Sequence, residues 1–151
     1  SGGEQFRKLK EEKGIQTVIN LAYDSVEPQE DRDLNCGGLE KPCEPKWAKK
    51  YGLRYITVYL GNKGPSDENW MKILEALGQG NTLIHCTYGV DRTGAVAGRW
   101  HRCFDEEQNL TQQEIIDYTY HFGGQWQHKG DPNRYLRDWM LAENPCLGWT
   151  P

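Results

Sequence analysis

The chain has 151 residues, 26% of them charged and 36% hydrophobic, and a formal net charge of −4. That length suits a single domain, 1–151, around one core, and the composition is that of a soluble globular protein. No apolar run approaches the length of a membrane span, no signal peptide is visible, and the acidic balance argues against general nucleic-acid binding.

Ser1-Gly2-Gly3 opens the chain without a methionine, which marks it as processed or excised. Glu4 to Lys13 sets Phe6 and Leu9 among charges and ends at Gly14, which predicts an exposed helix. Ile15 to Leu21 is rich in β-branched residues and predicts a strand. Ala22 to Pro45 holds Pro, Gly, Asp and Asn with little periodicity, a long loop of the kind that is often functional. Lys46 to Tyr51 predicts one or two helical turns ended by Gly52, and Leu53 to Leu60 a second strand. Pro65 to Leu77 predicts a helix with Ser66 as N-cap and Trp70, Ile73, Leu74 and Leu77 on one face. Thr82 to His85 is a third strand, and the helix that follows starts at Thr93. Thr111-Gln112-Gln113-Glu114 is a capping box for another helix. Asp131-Pro132 opens a last one, with Tyr135, Leu136 and Trp139 buried. Strands alternating with helices, then a helical C-terminal half, imply an α/β domain with a central, mostly parallel sheet flanked by helices. The tail from Asn144 to Pro151 carries no readable signal.

Five cysteines form an odd, scattered set. They point to a reducing compartment, the cytoplasm, and to catalytic rather than structural use. Cys36 and Cys43 flank a six-residue loop, but no histidine lies near them and the spacing fits no zinc pattern. They read as free thiols.

Most of the chemistry sits in His85-Cys86-Thr87-Tyr88-Gly89-Val90-Asp91-Arg92-Thr93-Gly94. A cysteine on a strand-to-helix turn, ahead of an arginine, makes an anion site that carries a nucleophile. Backbone N–H groups of Thr87, Tyr88, Gly89, Val90 and Asp91 can curl round a tetrahedral oxyanion. The helix N-terminus adds partial positive charge, and the Arg92 fork can grip two phosphate oxygens. The same field favours the Cys86 thiolate, which can attack phosphorus. Tyr88 is placed to shape the floor or rim of the pocket, or to pack against the sheet.

This segment resembles the Cys-x5-Arg signature of the cysteine-based protein tyrosine and dual-specificity phosphatases. The resemblance implies that Cys86 is the nucleophile and that Arg92 binds phosphate and the transition state. It further implies that Thr93 helps the phosphocysteine break down and that His85 orients the loop. Gly89 serves the tight turn, and Gly94 lets the helix pack close to the sheet. It implies a dual-specificity-phosphatase-like fold, with an N-terminal strand missing or truncated here. The implied activity needs no cofactor and no metal. Its substrate is a phosphorylated protein or peptide, with phosphotyrosine first. Phosphoserine and phosphothreonine are admitted by the shallow, permissive pocket expected where no phosphotyrosine-clamping segment precedes the sheet.

The proton donor is harder to place. Relatives usually supply an aspartate in the loop after the second strand, but Gly61-Asn62-Lys63-Gly64-Pro65-Ser66 holds none. Asp67 and Asp91 remain as candidates. At a helix start an acid is favoured by the macrodipole alone, which is the structural account of Asp67. Asp91 has two open readings, proton transfer or holding the loop. The missing acid also admits an alternative, because the threonine after the cysteine resembles RNA 5′-triphosphatases of the same superfamily. Their RNA 5′ end would then be the partner. A non-catalytic phosphate-binding pseudophosphatase is opposed by the intact Cys86, Arg92 and Thr93.

Overall fold

Three parallel strands frame the site: β1 (Thr17–Tyr23), β2 (Arg54–Tyr59) and β3 (Thr82–His85), in spatial order β2-β1-β3. The computed structural model describes residues 2–23, 44–59, 64–86, 91–104, 111–121 and 134–150. The chain passes from β1 to its neighbour β2 and then crosses to the other side of β1 for β3. Such a reversal opens a crevice at the carboxyl ends of the strands, here between β1 and β3. Asn20 pairs with His85, so Leu21 and Cys86 are carried to the same edge.

Side chains of a strand alternate between faces, and this alternation sorts the core into two layers. Val18, Tyr55 and Leu83 face α1 (Gly2–Glu11) and α2 (Glu44–Lys50), where they pack with Phe6, Ala48 and Leu53. Ile19, Leu21, Ile56, Val58 and Ile84 face the opposite layer. That layer comprises α3 (Asp67–Gly78), α4 (Asp91–Phe104), α5 (Gln112–His121) and α6 (Tyr135–Met140). It supplies the larger cluster, with Trp70, Ile73, Leu74, Val96, Ile115, Leu136 and Met140 among its most buried members. The expected α/β architecture is therefore present, as a small parallel sheet between helical layers.

Local signals account for most element ends. Gly14 adopts φ 68°, a left-handed conformation suited to the exit from α1. Ser66 caps α3 by accepting from the Asn69 N–H at 3.1 Å, and Thr111 accepts from the Glu114 N–H at 3.1 Å. Other boundaries differ from expectation. The helix after the signature starts at Asp91 rather than Thr93, so Arg92 lies on its first turn. The last helix spans Tyr135–Met140 behind Arg134, which makes no side-chain cap. Asp131 and Pro132 lie outside the described residues, as do Cys36, Cys43 and 24–43 of the long loop. Glu44 and Pro45, read as loop, begin α2.

Two packing expectations are corrected. A Cβ at Gly94 would meet nothing within 4 Å among the described residues, whereas at Gly98 it would collide with Met140 Sδ. The close approach falls one turn later and serves the contact of α4 with α6. The cysteines are not all free either, because Cys103 on α4 forms a disulfide with Cys146. A separation of 43 residues hides that pairing from sequence spacing.

The same bridge gives the C-terminal tail a role. The Pro145 carbonyl accepts from Trp70 Nε1 at 2.6 Å and from Arg99 Nε at 3.1 Å. Arg99 is 3% exposed and lies over the rings of both Trp70 and Trp139, donating to the Trp139 carbonyl at 3.0 Å. Arg102 donates to the carbonyls of Met140 and Ala142. Two arginines of α4 thus donate to carbonyls at and beyond the end of α6. The signature helix is thereby anchored far from its functional end.

Candidate active site

Cys86 sits directly after β3, and its sulfur accepts a hydrogen bond from Thr93 Oγ1 at 3.2 Å. Thr93 is the third residue of α4, so the helix brings its hydroxyl and its N-terminal field back over the sulfur. Arg92 Nη1 donates to the Leu21 carbonyl at 3.2 Å, which places the guanidinium at the carboxyl edge of β1. Cys86, Arg92 and Thr93 are thus gathered at the crevice between β1 and β3. Asp91 opens the same helix and is partly exposed. Thr87, Tyr88, Gly89 and Val90 lie outside the described residues.

Asp67 is an exposed residue in the first turn of α3, beside the Ser66 cap. Its charge is felt by buried Arg99. Burial lowers the Arg99 pKa from its ordinary value, the Asp67 carboxylate acts against that shift, and Arg102 adds to it. Asp67 therefore has an electrostatic partner in the core besides its favourable place at a helix start.

His85 is held by a group the sequence did not single out. Strand alternation turns it, with Asn20, toward the α2 layer rather than the signature helix. There its Nε2 lies 2.8 Å from Glu44 Oε2, with side-chain exposures of 28% and 30%. Tyr55 donates its hydroxyl to the same carboxylate oxygen at 2.5 Å and accepts from Asn20 Nδ2 at 2.9 Å. Burial pushes the Glu44 carboxyl up, but the hydrogen bonds from His85 and Tyr55 outweigh it and leave its pKa below the usual carboxylate value. The His85 pKa is raised, chiefly by the Glu44 hydrogen bond against the opposing effect of burial. A hydrogen bond to the Cys86 backbone and the Coulombic effect of Cys86 raise it further. Glu44 and His85 are 41 residues apart, and only the loop's length hinted at a function there.

No protein-family model and no curated protein sequence matches the chain. Solved structures do. The core catalytic domain of the PP-IP phosphatase SIW14 from S. cerevisiae, in complex with citrate, matches with a TM-score of 0.56 and 23% identity, over 91% of this chain and 72% of that one. TpbA of P. aeruginosa matches with a TM-score of 0.57 and 17% identity, over 93% and 75%. PTPMT1 matches with a TM-score of 0.54 and 17% identity, over 91% and 83%. The chain shares the fold of the cysteine-dependent phosphatases of the protein tyrosine and dual-specificity superfamily. Among the described residues, no helix is long and apolar enough to cross a membrane.

Proposed function

We propose that the protein is a cysteine-dependent phosphatase that hydrolyses phosphotyrosine, and phosphoserine or phosphothreonine, in protein or peptide substrates through a phosphocysteine intermediate. The observation that carries this reading is the Thr93 hydroxyl donating to Cys86 Sγ at the N-terminus of α4, with Arg92 on the same turn. A donor hydroxyl and a helix N-terminus both favour the thiolate over the thiol.

In the first step the Cys86 thiolate attacks phosphorus. The S–P bond forms, the P–O bond to the substrate breaks, and the leaving oxygen takes a proton from a carboxyl group, for which Asp91 is the leading candidate and Asp67 the other. Arg92 spreads its fork over the equatorial oxygens, where charge accumulates in the transition state. In the second step water attacks phosphorus, gives a proton to the carboxylate left by the first step, and the S–P bond breaks. The Thr93 hydroxyl stabilises the departing thiolate, and phosphate leaves. The loop 87–90 would supply backbone N–H groups to the phosphate. None of these steps calls on a metal or a cofactor.

A Cys-to-Ser variant of TpbA is known in complex with phosphotyrosine, and SIW14 is a PP-IP phosphatase. Both chemistries therefore belong in the test. Cytoplasmic placement, expected from scattered thiols, loses that support with the Cys103–Cys146 disulfide.

The test compares turnover of p-nitrophenyl phosphate, tyrosine-, serine- and threonine-phosphorylated peptides, a PP-IP and triphosphate-ended RNA by one preparation. Phosphopeptides should be the best natural substrates. Cys86→Ser should abolish turnover while phosphate binding persists, because Arg92 and the loop remain. Retained activity in that variant removes the mechanism, and preference for RNA or for a PP-IP replaces the substrate class.

A further inference from the structure

We propose that Glu44 is a positioning residue for the cysteine chemistry: it acts through His85 to hold Cys86 in a reactive setting, without touching substrate. The inference rests on Cys86 being the nucleophile. It begins with the geometry of one hydrogen-bonded series. Asn20 on β1 donates to the Tyr55 hydroxyl on β2, Tyr55 donates to Glu44 Oε2 on α2, and that oxygen lies 2.8 Å from His85 Nε2 on β3. All three strands and one helix converge on a single carboxylate.

The series has a direction. Asn20 is a donor and the Tyr55 proton is spent on Glu44, so the carboxylate receives from both neighbours. An ionised carboxylate only accepts, so His85 must carry its proton on Nε2. With Nε2 committed, the other ring nitrogen is the one that serves the Cys86 backbone, and both nitrogens donate when the ring is cationic. A protonated imidazole within electrostatic reach of Cys86 stabilises the thiolate, and the thiolate stabilises the imidazolium in return. The raised pKa of His85 agrees with this arrangement.

The other ionisable groups near the pair have separate attachments. Arg92 is held at the Leu21 carbonyl, and Lys46 and Lys50 of α2 lie over the rings of Trp47 and Tyr51. Among the described residues, Glu44 and Cys86 are the titratable groups whose effect reaches His85. A carboxylate with a purely structural part would tie α2 to the sheet and leave the ionisation of Cys86 unchanged.

The deciding experiment measures the pH dependence of Cys86 alkylation by iodoacetate, with and without vanadate, in the wild type and in Glu44→Gln. Glutamine keeps an acceptor oxygen but loses the charge. The variant should alkylate about tenfold more slowly near pH 6 and within about twofold of wild type near pH 9.5, where the thiol ionises unaided. Vanadate should protect both proteins. Superimposable profiles would overturn the proposal, as would an equal loss at every pH. In a His85→Gln background, Glu44→Gln should add nothing, and an undiminished effect there would also overturn it. Nitrogen-15 NMR of the wild-type imidazole supplies a readout that does not depend on the variants folding. His85 should stay doubly protonated above the free-imidazole range, and an ordinary or lowered titration midpoint overturns the proposal. If wild-type Cys86 is neither alkylated early nor protected by vanadate, the phosphatase reading itself fails; an intact wild-type response with no effect of Glu44→Gln removes Glu44 alone.

Discussion

The Thr93 hydroxyl donates to the sulfur of Cys86 across 3.2 Å, and the two lie seven positions apart in the chain. In the proposed mechanism that bond would favour the thiolate both before attack and when the phosphocysteine breaks. Thr93→Ala removes it while keeping the helix. A hydrogen bond to a charged group is worth about 1.5–3 kcal/mol, so breakdown of the intermediate should slow about ten- to hundredfold. Rapid-quench kinetics should show a burst of released alcohol followed by a slow steady state. A proportionate loss in both phases would place Thr93 in structure alone.

Arg92→Lys should be severe. Arg92 is anchored at Leu21 by one nitrogen of a planar fork, and a lysine has a single ammonium that cannot both hold that carbonyl and span two phosphate oxygens. Turnover should fall about 10²–10³-fold, the usual cost of a lost transition-state donor. Phosphate affinity should fall much less. Near-normal turnover would mean that the guanidinium serves only to join α4 to β1.

Cys86, Arg92 and Thr93, the residues proposed for the chemistry, all lie in one decapeptide, and the helix that follows was legible there apart from its first two residues. The Ser66 cap and the alternation of Ile19 and Leu21 with Val18 were legible for the same reason, that local geometry leaves its period in the sequence. Glu44 was not. Its partner is on a strand 41 residues away, and a single glutamate at a loop end looks like any other surface acid. The Cys103–Cys146 bridge and the Arg99 clamp depend likewise on how α4 meets the tail, and that meeting has no local signature.

Stability should carry a pH signature of the Glu44–His85 pair. His85 is raised above its ordinary 6.5, so its contribution is complete below 6.5 and is lost as pH rises through the folded-state value. Glu44 is lowered below its ordinary 4.5, so its contribution is present above 4.5 and is lost as pH falls through the folded-state value. Both act together between 4.5 and 6.5. The melting temperature of the wild type should exceed that of the Glu44→Gln/His85→Gln double variant most within that window, by an amount equivalent to roughly 1 kcal/mol for a partly solvated pair. A gap that stays constant up to about pH 9 would show that the pair is not ionic.

Reduction of the Cys103–Cys146 bridge should lower stability while sparing the active-site thiol. Closing a loop of this length constrains the unfolded chain by up to about 4 kcal/mol in the chain-entropy account, and the hydrogen bonds of Arg99 and Arg102 to the tail do not require the bridge. Dithiothreitol should therefore lower the melting temperature. Without reductant, iodoacetate should spare Cys103 and Cys146. Equal labelling of both before and after reduction would show that the thiols are not paired in solution.

The proton donor separates Asp91 from Asp67. Asp91 opens α4 within the same turn as Arg92 and Thr93, five residues from Cys86, whereas Asp67 starts α3 with its charge felt by buried Arg99. If Asp91 supplies the proton, Asp91→Asn should cut turnover of phosphotyrosine peptide by about 10²–10⁴-fold. The loss should shrink for aryl phosphates with better leaving groups, which need less protonation, and the basic limb of the rate–pH profile should flatten. Asp67→Asn should leave turnover nearly intact and lower stability slightly, since it weakens both a helix-start charge and the field at Arg99. A large loss in Asp67→Asn that depends on the leaving group would reverse the assignment and return the acid to the start of α3. If neither variant loses activity while triphosphate-ended RNA is turned over efficiently, the leaving group needs no protein acid. That outcome favours anhydride cleavage over ester cleavage, because an anhydride's departing phosphate is already a weak base.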